Sequence, residues 1–199
     1  MSDNELQRGP IPWSAGRWTH PPLHAVEDGT DLLAEAAEGS DAWRTTAYGF
    51  IHESEHALLS AFGVGSAVEV TFTANLPAQF DQAGVFVRVD GSTWIKAGLE
   101  RSDGVLQVGA VVTYGASDWS VAPVQDWDGH KVTVRVSRTA DALIIRAGIA
   151  EAPLQFVRVV PFTADRKAEA GPFLCAPTRA GLTVRFHSWE VTDADASLH

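Results

Sequence analysis

Hydrophobic and polar residues alternate with a period of two along much of this chain, and the alternating stretches are rich in β-branched residues. Such alternation predicts strands with one buried face. Short groups of Gly, Asp and Ser separate the stretches, and helical periodicity is almost absent. The pattern predicts an all-β protein, either a sandwich or a barrel. The clearest strands are expected at 68–73, 85–89, 131–136 and 182–186, with further candidates at 31–36, 43–48, 57–62, 94–100, 105–114, 142–149 and 155–160.

The segment 82–114 also predicts a register. A three-residue loop at 90–92 places Val87 opposite Ile95. A second loop, centred on Ser102-Asp103, places Leu99 opposite Leu106. Both loops then put apolar residues on one face of a three-stranded meander, as a buried face requires.

The opposite face of this meander carries polar and aromatic residues. Its register places Arg88 opposite Trp94, which suits a cation–π contact, and Gln82 opposite Glu100. Because side chains on one face repeat every second residue, Lys96 and Glu100 share this face, roughly 13 Å apart along the strand.

Two glycines lie between these charges, since Gly84 pairs with Gly98 in the same register. Glycine inside a strand often marks the close approach of a ligand or of another backbone. We therefore expect a recess about one sugar ring wide, in a polar groove that binds a carbohydrate or another small polar ligand. The alternative is a polar network that satisfies itself under a covering loop.

Composition narrows the class of protein. The chain has 199 residues, 45% of them hydrophobic and 20% charged, which excludes a disordered or fibrous protein. The length is typical of one domain, 1–199, with an ordered core at about 11–191. A net charge of −10 argues against nucleic-acid binding, and no apolar run approaches the ~20 residues of a membrane span. The acidic, polar start of the chain lacks the features of a signal peptide, so we expect a cytoplasmic protein.

One motif suggests a metal. His52-Glu53-Ser54-Glu55-His56 matches the H-E-x-x-H pattern of zinc proteases, in which a helix brings two histidines onto one metal ion. Here Gly49 and a strand-like run precede the motif, so we expect an extended chain entering a strand at His56. In that geometry the histidines lie ~13 Å apart and cannot share a metal ion. We predict neither a metal nor a cofactor.

Other polar residues have structural interpretations. Ser117–Ser120 is predicted to be a loop after the meander, with Asp118 bonding backbone amides and Trp119 either closing the sandwich edge or contacting a ligand. The single cysteine, Cys175, lies in an apolar stretch and is expected to be buried and unreactive. The strand arginines are expected to pair with the excess acids, although one or two could reach the groove. They are Arg135, Arg146, Arg158 and Arg185.

Several of these segments together resemble the DUF1349 family, also called the regulation-of-enolase family. They are 40–44, 81–84, 94–100, 112–113, 117–120 and 171–177, and the resemblance extends from about Trp13 to Val191. It implies a concanavalin A-like jelly roll, a two-sheet antiparallel β sandwich with a curved face. The family has no established activity, so the resemblance implies a fold rather than a reaction.

Three functions follow as hypotheses. The first is a lectin-like protein that binds a sugar-derived ligand on the concave face of the sandwich. The second is a glycoside hydrolase using Glu100, for which Asp118 is a poor second carboxylate and Asp81, Glu53 and Asp41 are possible ones. The third is a regulatory interaction module, with a protein partner or with self-association through a sheet edge. The residues predicted to contact the ligand are Gln82, Arg88, Trp94, Lys96, Glu100, Asp81 and Trp119.

Overall fold

The computed structural model of the protein describes residues 8–198, which form two large antiparallel sheets and a separate hairpin. The described residues contain two short 3-10 turns, Trp13–Ala15 and Gln125–Trp127, and no α-helix. None of their helical turns has the length and hydrophobicity needed to cross a membrane. The predicted two-sheet β sandwich is confirmed.

The first sheet has eight strands, which follow the spatial order β15-β14-β13-β8-β17-β4-β3, with β1 paired to β17. They are β1 Gly9–Pro10, β3 His24–Asp28, β4 Asp31–Glu35, β8 Ser66–Thr73, β13 Lys131–Arg138, β14 Ala142–Ile149, β15 Gln155–Pro161 and β17 Thr183–Asp193.

The second sheet has seven strands in the order β12-β11-β10-β9-β16-β7-β2. They are β2 Arg17–Trp18, β7 His56–Phe62, β9 Gln82–Asp90, β10 Thr93–Ser102, β11 Val105–Tyr114, β12 Ala116–Pro123 and β16 Ala168–Cys175. The remaining strands, β5 Ala42–Arg44 and β6 Ile51–Glu53, pair only with each other.

The main hydrophobic core lies between the two large sheets. Val70 and Phe186 of the eight-stranded sheet belong to the same buried cluster as Val85, Ile95 and Leu99 of the seven-stranded sheet. Since the core takes alternate residues of β9, β10 and β11, the other face of these strands is free to carry polar chemistry.

The meander β9-β10-β11 forms as predicted, with one register different. Val87 pairs with Ile95 and Gly84 with Gly98, as expected. Leu99, however, pairs with Val108 rather than with Leu106. The turn is centred on Asp103-Gly104, where both residues have positive φ, as a type I′ hairpin turn requires. The shift is two residues, so each side chain keeps its predicted face.

Six strands, β1, β2, β3, β6, β12 and β16, lie outside the predicted strand segments, and β12 and β16 are the longest of them. The expected loop at Ser117–Ser120 is wrong, because these residues belong to β12. Strand β16 was missed, and it contains Pro172, a residue that disfavours interior strands. Gly171 and Pro172 pair with β9 but have no partner in β7, so the proline lies where the ladder to β7 is interrupted.

The predicted strand at 43–48 is also shorter than expected, since β5 ends at Arg44. Thr45, Ala47 and Gly49 all have positive φ, which turns the chain back into β6. A hairpin with a tight, strained tip therefore replaces one long strand.

Close packing of three strands requires glycine at one row of the seven-stranded sheet. Gly98 pairs with Gly84 on one side and with Gly109 on the other. A β-carbon added at Gly98 would lie 3.0 Å from the carbonyl carbon of Ala83 and nearer still to its oxygen. Because that neighbour is backbone, the sheet itself would have to shift.

We expect Gly98→Ala to lower the free energy of unfolding by about 2–3 kcal/mol, because the added methyl group forces two strands apart. Urea unfolding followed by tryptophan fluorescence measures it. Gly148→Ala in β14 is the matched control, since its β-carbon would meet its nearest atom at 3.3 Å. Equal loss in the two variants would contradict this explanation.

Candidate functional site

The β5–β6 hairpin covers part of the outer face of the seven-stranded sheet. The backbone N–H of Arg44 donates to Oγ of Ser117 (2.9 Å), and its Nε donates to the carbonyl of Gly115 (3.2 Å). Trp43 packs edge-on against Trp119, with ring centroids 6.4 Å apart. The hairpin thus encloses a second buried hydrophobic cluster, which contains Trp43, Ala57, Phe86, Trp94 and Phe173.

A cavity of about 450 Å³ opens beside this cluster, between the hairpin and the sheet. Its volume falls in the range of small-molecule binding sites. We call it the Lys96 pocket. Its lining residues are Gly39, Asp41, Trp43, Tyr48, Phe50, His52, Phe80, Gln82, Lys96, Glu100, Val111, Trp119 and Pro177.

A buried ion pair forms the floor of the Lys96 pocket. Nζ of Lys96 lies 2.8 Å from Oδ1 of Asp41 and 2.8 Å from Oε1 of Gln82. The Lys96 side chain is 4% exposed and that of Asp41 is 17% exposed. Oδ1 of Asp41 also accepts from the N–H of Ala42 (2.8 Å). Each group is therefore held in one orientation by more than one bond.

Both members of this pair are charged. Burial works against the ionised form of each group, but the attraction between them prevails. The pKa of Asp41 is lowered, despite burial, by the Lys96 ammonium and by the hydrogen bonds that the carboxylate accepts. The pKa of Lys96 is raised, despite burial, mainly by the Asp41 carboxylate.

Glu100 behaves differently from Asp41. Its carboxyl group is half-buried in the pocket, and no cation of residues 8–198 lies within ion-pair distance of it. Burial raises the pKa of Glu100 to about 7, with Lys96 lowering it and Asp41 adding to the rise. Glu100 therefore exchanges its proton near neutral pH, while Asp41 stays ionised.

Aromatic rings form the walls of the Lys96 pocket. Tyr48 and Phe50 stack with centroids 5.3 Å apart and an interplanar angle of 8°, although they are 59% and 43% exposed. His52 contacts the edge of Phe50 at 4.6 Å. Exposed aromatic residues held together at a cavity mouth are typical of a binding surface.

The recess expected over the glycines is much smaller than one sugar ring. The space above Gly98 and Gly109 is about 20 Å³, which is room for one water molecule. The glycines serve strand packing rather than a ligand gap, and the ligand-sized space lies beside them, under the hairpin. That expectation from the sequence was wrong in position and size.

Four of the seven residues predicted to contact a ligand line the same pocket. Gln82, Lys96 and Glu100 come from neighbouring positions of β9 and β10, and Trp119 comes from β12. The common face of Gln82, Lys96 and Glu100 follows from the predicted strand alternation, whereas Trp119 was predicted in a loop and reaches the pocket from a strand.

The other three lie elsewhere. Trp94 is 3% exposed and stacks on Phe86 inside the second cluster, outside the pocket lining. Asp81 is fully buried in a two-pronged ion pair with Arg179, the shortest bond being 2.7 Å.

Arg88 lies opposite Trp94 in the strand register, as predicted. In the described part of the chain, however, the arginines whose guanidinium groups lie over aromatic rings are Arg138, Arg146 and Arg166. The predicted cation–π contact of Arg88 is therefore wrong. Burial raises the pKa of Glu55, and the positive charge of Arg88 opposes that rise.

The hairpin residues of the pocket were missed as ligand contacts. Tyr48 was expected at the end of a strand, His52 was part of the rejected metal motif, Phe50 had no predicted role, and Asp41 was only a possible second carboxylate. The available signal was three aromatic residues within eight positions, Trp43, Tyr48 and Phe50, around a glycine turn.

The structure supports the extended interpretation of the H-E-x-x-H segment. It runs from β6 into β7, and His56 begins β7. Nδ1 of His56 bonds the carbonyl of His20 (2.9 Å), and Nε2 accepts from the N–H of Ala37 (3.0 Å), so both nitrogens are engaged. Within residues 8–198 no group of three potential ligands is placed to hold a metal ion.

The strand arginines are structural, as expected. Arg135 and Arg146 share the carboxylate of Asp195, and Arg185 pairs with Asp31 and Asp28. Arg158 pairs with Asp118 at 2.8 Å, which corrects the expectation that Asp118 caps a loop. No arginine lines the Lys96 pocket.

The cysteine also matches its expectation. Cys175 is fully buried in the second hydrophobic cluster. Burial raises the pKa of the Cys175 thiol well above its ordinary value, which keeps it protonated.

The fold and the pocket define a jelly-roll β sandwich with a polar, aromatic-walled cavity on the outer face of one sheet. The sequence profile of the family described as "Protein of unknown function (DUF1349)" matches residues 18–194, and the chain belongs to that family. It is 34% identical over 179 residues to "Regulation of enolase protein 1" of Saccharomyces cerevisiae, a match covering 90% of each chain.

Solved structures agree with this fold. A crystal structure of a functionally unknown protein from Saccharomyces cerevisiae matches with a TM-score of 0.87 and 32% identity, over 94% of this chain and all of the other. Xylan β-1,4-xylosidase from Bacillus halodurans matches 97% of this chain with a TM-score of 0.68 and 14% identity. That match covers 41% of the xylosidase, so it shows a shared fold with one part of a larger enzyme.

We expect Lys96→Met to lower the free energy of unfolding by about 3–5 kcal/mol, because it leaves a buried carboxylate without its cation. Chemical denaturation at neutral pH measures the loss. The double variant Asp41→Leu/Lys96→Met should recover most of it, since both charges are removed together. Additive losses in the double variant would contradict a coupled pair.

Proposed function

We propose that the protein binds a carbohydrate or a sugar-derived small molecule in the Lys96 pocket. The observation that carries this proposal is the pairing of exposed, stacked aromatic rings with a fixed cluster of buried polar groups at the floor. Apolar ring faces suit the C–H face of a sugar, and oriented polar groups suit its hydroxyls. The pocket lies on the sheet face that was predicted to be the binding face.

The hairpin gives the pocket its aromatic wall without contributing to the main core. Tyr48 and Phe50 lie at its exposed end, and neither belongs to a buried hydrophobic cluster. Tyr48 also packs edge-on against Trp43, with centroids 5.7 Å apart, but the stacked rings of Tyr48 and Phe50 stay largely exposed at the cavity mouth, as a binding surface requires. They can also be changed without opening the core.

We expect Tyr48→Ala to weaken binding of the best ligand by about tenfold or more, because truncating an aromatic anchor commonly costs more than 1 kcal/mol. A panel of neutral mono- and oligosaccharides and sugar phosphates, screened by ligand-observed NMR and titrated by calorimetry, supplies the measurement. Phe156→Ala is the control, since Phe156 is 50% exposed on β15 and remote from the pocket. The absence of binding by every panel member would remove the proposal.

A second candidate is glycoside hydrolysis, and a specific observation supports it. Glu100 shares its pocket with a second carboxyl group, that of Asp41. Burial raises the pKa of Glu100 to about 7, whereas the Lys96 pair lowers that of Asp41 despite burial. In glycosidases, one carboxyl group with a raised pKa acts as the general acid, and a second carboxyl group with a lower pKa stays ionised.

For hydrolysis, we expect wild-type protein to release nitrophenol from at least one nitrophenyl glycoside, and Glu100→Gln to reduce kcat by at least about a hundredfold. A binding protein without catalysis would release none across the same panel while still binding sugars. That outcome would exclude the enzyme and leave the binding proposal intact.

The third hypothesis, a regulatory interaction module, stays a prediction. Its support is the name of the yeast relative, "Regulation of enolase protein 1". A ligand pocket is compatible with such a role, because ligand occupancy can bias a protein contact.

A further inference from the structure

We infer that the Lys96 pocket selects an uncharged, hydroxyl-bearing ligand to which Glu100 donates a hydrogen bond, and that it excludes phosphorylated and carboxylated sugars. This inference rests on the proposed function and adds the chemical class of the ligand. It comes from the hydrogen-bonding capacity left over at the floor of the pocket.

The floor has unused donors and acceptors side by side. An ammonium has three N–H donors, and Lys96 uses two of them on Asp41 and Gln82. Oδ1 of Asp41 accepts all the bonds that the described residues give to this carboxylate, so Oδ2 remains an open acceptor. A hydroxyl group is both donor and acceptor, and neighbouring hydroxyls of a sugar match this alternation.

The charges of this cavity disfavour an anionic ligand. Lys96 is the one lysine or arginine that lines it, and Asp41 already neutralises that charge at 2.8 Å. The guanidinium of Arg44, on the hairpin, is engaged by Glu53 and by the carbonyls of Gly91 and Gly115. A phosphate would therefore lie near two carboxyl groups without a free cation to pair with it.

Glu100 decides how the ligand responds to pH. The charged and titratable groups that share its pocket are Lys96 from β10, Asp41 before the hairpin, Tyr48 from the hairpin turn and His52 from β6. Gln82 of β9 and Gln107 of β11 lie beside it in register and supply neutral amides. Only the protonated carboxyl group can donate a hydrogen bond, and the pKa of about 7 keeps that form populated below neutral pH.

The sign of the pH effect follows from this linkage. A ligand that accepts a hydrogen bond from the protonated carboxyl group of Glu100, and that displaces water, raises the pKa of Glu100 further in the complex. Binding then takes up a proton between the free pKa of about 7 and the higher pKa of Glu100 in the complex. Affinity is highest on the acid side and falls by up to tenfold per pH unit as pH rises beyond 7.

The experiment compares each neutral sugar that binds with its phosphate ester and its uronic acid, by calorimetry at about pH 6 and about pH 8.5. We expect the neutral sugar to bind at least about fivefold more tightly at the lower pH, and the anionic forms to bind at least about tenfold more weakly than their parent. In Glu100→Gln, whose amide donates at every pH, the two affinities should agree within about twofold.

His52→Gln removes the imidazole from the pocket, and this variant should keep the pH dependence of the wild type. Tighter binding of a phosphate ester than of its parent would overturn the inference, as would a pH dependence that persists in Glu100→Gln or disappears in His52→Gln. Binding of neutral sugars without pH dependence would overturn the inference alone. Failure of every sugar to bind would instead defeat the proposed function.

Discussion

The ion pair between Lys96 and Asp41 is the buried charged contact between the seven-stranded sheet and the segment that leads into the hairpin. Lys96 belongs to a central strand of the seven-stranded sheet, whereas Asp41 directly precedes the separate β5–β6 hairpin. Burying two charges is costly unless the geometry and the additional hydrogen bonds are good, and here Gln82 and Ala42 supply those bonds. Together with the contacts of Arg44 and Trp43, the pair holds the hairpin over the sheet, and the cavity lies between the two.

The same pair controls the chemistry of its neighbours. Because Asp41 takes up the charge of Lys96, Glu100 is left half-buried without a cation and retains a proton up to about neutral pH. Two carboxyl groups in one cavity thus have different protonation states. This division makes the cavity suitable for an uncharged polar ligand and keeps a hydrolytic role open to experiment.

Sequence pattern predicted an all-β sandwich or barrel and the faces of its central strands, because alternation and turn residues act locally, and the family resemblance selected the sandwich. The pattern placed Gln82, Lys96 and Glu100 on one surface for the same reason. It could not place Asp41 or the Tyr48–Phe50 wall, since their positions depend on contacts between a hairpin and a distant sheet, such as that of Arg44 with Ser117. Trp94 was wrongly predicted to contact a ligand. It shares one face of β10 with Lys96 and Glu100, but its end of that face is buried in the second hydrophobic cluster with Trp43 of the hairpin.

The hairpin that supplies the aromatic wall of the Lys96 pocket lies outside both large sheets, so the wall and the floor come from different parts of the molecule. Gln82, Lys96 and Glu100 at the floor belong to strands whose other face builds the core, and Asp41 joins them from the segment just before the hairpin. Tyr48, Phe50 and His52 belong to a two-stranded segment that forms no part of the main core, so their identities are free to diverge. A change in one of these three wall residues therefore alters the surface offered to a ligand, while the main core and the buried ion pair at the floor keep their own contacts.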